Sequence, residues 1–181
     1  MKNFPFEYKG RTFWYSRSIV ASAYVYCRYR GVWYILASQR GPSSTSSFKW
    51  NVPGGFLDHG ETTQQAGVRE VWEETGVRLP ADNSRLVRVC SVPRGKLQHV
   101  VFSYVYSMGD VKSLPITSMT HNEPGENCIV KWISINSTSQ YDWILDHEKN
   151  IHEFFKQYIR PSLWQRIKNR LSNKVDMVDI K

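Results

Sequence analysis

Three glutamates, Glu70, Glu73 and Glu74, stand close enough in the chain to act together. At about 100° per residue on a helix they fall within an arc of roughly 100°, with Val68, Val71 and Trp72 on the opposite side. A helix here would bury one face and turn three carboxylates towards one point. Carboxylates crowded in this way repel, and a hard divalent cation with oxygen ligands relieves the repulsion. Magnesium keeps waters in its shell and commonly completes it with substrate phosphates, so the chemistry suggested is phosphate chemistry. The competing reading is a solvated acidic helix face with Arg69 as its local counter-ion.

The surrounding residues weigh against that second reading. Gly55, Glu61, Arg69, Glu70, Val71, Glu73, Glu74, Gly76 and Val77 follow the order glycine, five residues, Glu, seven residues, then Arg-Glu-apolar-x-Glu-Glu-x-Gly-apolar. This resembles the Nudix box at every specified position, and the order of the flanking segments resembles the family from about Arg17 to Ile159. The resemblance implies the α/β class, as an α/β/α sandwich with a mixed β-sheet flanked by helices. It also implies a hydrolase of phosphoric anhydrides that cleaves the pyrophosphate bond of a nucleoside diphosphate linked to another moiety. On that assignment Glu70 and Glu74 are the principal ligands of Mg²⁺ (or Mn²⁺), and the carbonyl of Gly54 is a further one. Glu73 is a third ligand or the base that prepares water. Glu61 and Arg69 pair structurally, and Gly55 and Gly76 belong to the structural motif. The base can instead lie on a later loop, where Glu123 and Glu126 are candidates and Glu126 is favoured.

The box does not fix the substrate. Phe56 stands where nucleotide-sanitising members of the mutator type tend to have lysine. Pro93, 16 residues beyond Val77, resembles a signature of ADP-ribose pyrophosphatases. ADP-ribose or a nucleotide sugar is therefore preferred. A nucleoside triphosphate or dinucleoside polyphosphate is the alternative, as is a non-catalytic module that binds nucleotide or RNA.

Several elements must position these residues. Ser18–Arg28 and Val32–Arg40 are rich in β-branched and aromatic residues around Tyr29-Arg30-Gly31 and read as a hairpin. A polar, breaker-rich loop over residues 41–47 follows, then a sharp turn at Pro53-Gly54-Gly55. Thr62 with Gln65 predicts a capping box, and Gly76 the helix stop, for a helix over about 62–75. Strands are expected over 86–92, 99–106 and 128–135, and helices over 143–159 and from Pro161 to Leu171. The expected division is a domain over residues 1–159 and a basic helical extension over 160–181, docked on it.

Charge is distributed to match. The 181 residues carry 24 Lys and Arg against 16 Asp and Glu, a formal net charge of +8. Residues 1–49 hold eight basic and one acidic side chain, residues 50–80 two and five, and residues 160–181 six and two. A basic surround thus encloses an acidic centre, which suits a phosphate-bearing substrate. Arg28, Arg40, Lys49 and Arg94, with Arg30 and Lys96, are expected to rim the cleft, and Trp50 to stack on a base or to anchor the core. His99, at a strand start, reads as structural. For the basic tail, docking by Leu163, Trp164, Ile167 and Leu171 is expected, with nucleic acid kept open as a partner. No apolar run reaches the ~20 residues of a membrane helix. The start of the chain lacks a secretory apolar core, and three scattered cysteines make no disulfide framework, so a cytoplasmic setting is expected. A homodimer is a further expectation from the resemblance.

Overall fold

The hydrophobic hairpin becomes the centre of one large sheet. In a computed structural model, which describes residues 4–15, 18–42, 44, 46–94, 97–119 and 127–160, it comprises β3 (Ser18–Tyr29) and β4 (Val32–Arg40). Around it stand β5 (Trp50–Asn51), β6 (Gly54–Phe56), β7 (Ser84–Arg94), β8 (Leu97–Asp110) and β9 (Asn127–Ser134). The order is β5-β4-β3-β8-β7, with β6 also on β3 and β9 also on β4. The β3–β8 pairing is parallel and the others are antiparallel, so the sheet is mixed.

Alternation along the strands sends side chains to two cores. Ala23, Val25, Leu36, Tyr104 and Tyr106 pack with Val71 and Val77 of the first helical region. Tyr24, Tyr26, Ile35, Ala37 and Val105 pack on the other face with Trp143, Ile151 and Phe154. Helix α1 (Thr63–Thr75) covers the first face and α2 (His147–Phe154) the second, giving the α/β/α layering.

The α1 boundaries follow their chemical signals. The Thr62 hydroxyl accepts from Gln65 N, and the Gln65 side chain accepts from Thr62 N. Gly76 takes φ 71° at the other end, where its N–H donates to Trp72 O. The later helix starts four residues after the expected Trp143. Trp50 N donates to Asp142 O and Ile144 N donates to Trp50 O, each at 2.8 Å. Leu145, two residues before the helix, takes φ 54°, outside the helical region, so the helix begins only beyond it. Past Phe154 the helix widens into a π turn over Phe155–Ile159.

An unforeseen hairpin, β1 (Phe4–Tyr8) and β2 (Arg11–Tyr15), forms a separate two-stranded sheet. The tail over 161–181 lies outside the described residues. Among the described residues no helix is long and apolar enough to cross a membrane.

Candidate active site

Local helix geometry brings the acidic residues together, and Arg69 organises them. Its Nε and Nη2 donate to the two oxygens of Glu61 at 3.2 and 2.8 Å. Its Nη1 donates to Glu70 Oε1 and to Glu73 Oε2, both at 2.8 Å, and Nη2 also donates to Phe56 O at 2.9 Å. All five guanidinium hydrogens are thereby engaged, a geometry no lysine could reproduce. The hydrogen bonds from Arg69 hold the Glu61 carboxyl below its ordinary range. Glu61 in turn, with Glu70 and Glu73, keeps Arg69 firmly protonated.

Glu74 has different partners. It is 3% exposed, turned into the sheet, where Ser38 Oγ donates to Oε2 at 2.9 Å and Gly54 N donates to Oε1 at 3.2 Å. Ser38 Oγ also lies 3.0 Å from Asn51 Oδ1. A single hydroxyl hydrogen cannot serve both acceptors, and turning the Asn51 amide to donate to Ser38 leaves that hydrogen for Glu74. Arg69 thus bridges Glu70 and Glu73, while Glu74 lies on Gly54, next to the Gly55 that abuts the Glu70 carboxylate. Among the described residues no three acidic, His or Cys side chains are gathered to hold an ion as they stand. The reason is electrostatic: Arg69 neutralises Glu70 and Glu73, while Glu74 takes neutral donors of the sheet. The donor set itself fits a hard divalent cation. It is all oxygen, Glu70 and Glu74 are one helical turn apart, and Glu74 already adjoins the Gly54 backbone.

The two glycines before the helix are required by close approach. A Cβ on Gly54 would lie 2.9 Å from Ser22 Cα, and one on Gly55 would strike the Glu70 carboxylate. Gly54 therefore sits at a seam, against Glu74 on one side and a cleft on the other. That cleft, about 380 Å³, lies on the α2 face of the sheet. Arg40, Asn51 and Gly54 form one wall, Arg88 and His99 stand on its floor strands, and Asp146, His147 and Asn150 cover it.

Its polar groups are fixed in advance. Arg88 Nη1 donates to Asn150 Oδ1 at 2.7 Å, and Asn150 Nδ2 donates to the Tyr24 hydroxyl at 3.3 Å. Burial pushes the Tyr24 hydroxyl up to about 12, so it remains protonated at neutral pH. Val52 N donates to His147 Nδ1 at 3.2 Å, which leaves the ring's proton on Nε2 in the neutral form. Among the described residues neither Arg40 nor Arg88 forms an ion pair with a carboxylate.

The remaining expectations fare unevenly. Arg40 lines the cleft. Arg28 does not: it pairs with Asp110 at 3.7 Å, six residues along β3 from the Ser22–Gly54 pairing, or about 20 Å of strand. Lys49 pairs with Asp142 at 3.4 Å, outside the cleft wall. Trp50 is corrected to a core residue, 5% exposed and edge-on to Tyr141. Arg94 closes β7. Glu123, Glu126 and Lys96 lie outside the described residues. Arg88, Tyr24, His147 and Asn150 were not expected from the sequence, because no short spacing links them.

A family model described as the NUDIX domain matches residues 18–157. Over 53 residues the chain is 42% identical to an RNA pyrophosphohydrolase of Cereibacter sphaeroides, covering 29% of this chain and 30% of that protein. Over 65 residues it is 40% identical to an ADP-ribose pyrophosphatase of Methanocaldococcus jannaschii, covering 34% and 38%. The chain thus matches about a third of the length of these curated relatives. Among solved structures it resembles a bifunctional NMN adenylyltransferase/ADP ribose pyrophosphatase of Francisella tularensis, with TM-score 0.65, 26% identity, and coverage of 78% of this chain and 41% of that one. Another structure of that enzyme is complexed with AMP and a Mn ion. It also resembles the NUDIX domain of Shewanella oneidensis NrtR complexed with ADP ribose, with TM-score 0.64, 20% identity, and coverage of 77% and 86%. With residues 18–157 matched to the family model, the chain belongs to the NUDIX family.

Proposed function

We propose that this chain is a Mg²⁺-dependent pyrophosphohydrolase that cleaves the pyrophosphate bond of a nucleoside diphosphate linked to another moiety, with ADP-ribose or a nucleotide sugar as the preferred substrate. One observation carries the reading. Gly54 joins the acidic helix to the cleft, its N–H on Glu74 and its backbone in the cleft wall, so a ligand seated in the cleft reaches the glutamates across one residue. The ADP ribose in the Shewanella domain and the AMP and Mn ion in the Francisella enzyme support the ligand and metal classes.

Glu70, Glu73 and Glu74, with the Gly54 carbonyl, would hold the divalent ion. That ion, when bound, neutralises diphosphate charge and acidifies water. The residues of the chain do the rest. Arg40 and Arg88, which have no carboxylate partner among the described residues, attract and orient the anion. Glu61 anchors Arg69 bidentately, so the helix and the Phe56 strand move as one unit. Glu73, more exposed than Glu70, is placed to accept a proton from water once it leaves Arg69, and Glu126 is the candidate from outside the described residues.

The test uses ADP-ribose, a nucleotide sugar, a dinucleoside polyphosphate and a nucleoside triphosphate with Mg²⁺, with products resolved by chromatography. Wild type is expected to release AMP from ADP-ribose. Glu70→Gln and Glu74→Gln should lose at least about a hundredfold in turnover while keeping the wild-type circular dichroism spectrum. Near-wild-type turnover by both variants would refute the proposal.

A further inference from the structure

The residue after the box glycine, Phe56, is 58% exposed, although a ring of its size gains by burial. It cannot withdraw into the core. Phe56 pairs with Val20 in the sheet, Leu57 N donates to Ile19 O at 3.0 Å, and Phe56 O accepts from Arg69 Nη2 at 2.9 Å. The same guanidinium therefore fixes both the carboxylates and the backbone of this aromatic residue. Pairing with Val20 puts Phe56 on the cleft side of the sheet, since Val20 lines the cleft.

His99, another cleft residue, stands beside it, with ring centroids 5.6 Å apart and planes at 52°. Its Nδ1 is buried and has no hydrogen-bond partner among the described residues. Such a nitrogen carries a desolvation cost that a polar ligand atom would remove. With no bond holding Nδ1, the imidazole can turn about χ2 and present a ring nitrogen. A rigid, exposed aromatic face with an unpaired nitrogen next to it suits a planar heteroaromatic ring. We propose that Phe56 and His99 form the platform on which the nucleobase of the substrate stacks, the role that Trp50, buried in the core, cannot take.

The spacing agrees with this. Phe56 stands about 7 Å of strand from Gly54, close to the reach of a ribose between base and phosphate. The proposal rests on the nucleotide reading above, and its test is separable from it. AMP and ribose 5-phosphate contain no anhydride, so both can be titrated calorimetrically with Mg²⁺ present. Phe56→Ala should weaken AMP binding roughly tenfold to a hundredfold and leave ribose 5-phosphate unchanged, whereas Phe56→Trp should retain AMP binding. His99→Ala should weaken AMP by roughly threefold to tenfold. With ADP-ribose as substrate, the Phe56→Ala loss should appear chiefly in KM. Unchanged AMP affinity in Phe56→Ala, equal losses for AMP and ribose 5-phosphate, or no AMP binding by wild type would each overturn the platform. If wild type binds AMP as expected but hydrolyses no nucleotide, the hydrolase reading falls and the platform stands.

Discussion

On the α1 face, a single arginine gathers Glu61, Glu70 and Glu73, all from one loop and one helix, and every hydrogen of its guanidinium is taken. On the α2 face, the cleft draws Arg40 from β4, Arg88 from β7, His99 from β8 and Asn150 from α2, and its two arginines have no carboxylate within ion-pair distance among the described residues. The first region is electrostatically closed and built from neighbours in sequence. The second is electrostatically open and built from distant strands. Open cations favour an anion in the cleft, while the carboxylate cluster beside it favours a cation. Reactive groups can thus come from one short motif while recognition groups vary strand by strand.

The seam is where this contrast breaks most severely. Gly55→Ala drives a methyl into the Glu70 carboxylate and should cost about a hundredfold in turnover, with AMP binding in the cleft largely kept. Parallel rate and calorimetric measurements check this, and equal losses in both would show the two regions to be one. Trp50→Ala tests the α2 layer alone. Removal of this buried ring should destabilise the fold by about 3–5 kcal/mol in denaturant unfolding. The AMP affinity of the folded fraction should persist, because the ring does not line the cleft.

The smallest effect concerns acid. With its carboxyl lowered from 4.5 by Arg69, Glu61 contributes stability that is complete above that value and is lost as pH falls through the lowered value. Melting temperature should therefore drop in that acidic window for wild type. Glu61→Gln should melt lower at neutral pH and show a shallower acid dependence. An identical acid slope would assign the loss to other carboxylates.

The acidic helix was legible because its determinants are local. The Thr62–Gln65 box, the Gly76 stop and the Glu–Arg spacings all act within a few turns, so type and spacing suffice. The cleft was not legible because its bonds span the chain. Tyr24 and Asn150, 126 residues apart, meet only when α2 packs on the sheet. Arg28 and Arg40 look alike in sequence, and strand register alone separates the cleft residue from the distant one. Trp50 was ambiguous because stacking and core packing call for the same ring. The β1–β2 hairpin did leave a signal, Lys9-Gly10 with both φ positive between aromatic runs, which is the two-residue turn expected of such hairpins. The Asn127 amide, 8% exposed with neither polar atom bonded among the described residues, left no signal in the sequence.

The parallel pairing of β3 with β8 has a consequence for how the molecule is made. Ser22 and Ser103, joined by a 3.1 Å hydroxyl bond, are separated by 81 positions. As the chain leaves the ribosome, β3 can find β4 at once and β6 soon after, but one apolar edge must wait until β8 emerges. Through that interval neither the floor of the cleft nor the Tyr104 and Tyr106 side of the α1 core exists. The β3 edge that takes β8 therefore stays open until synthesis has passed Asp110.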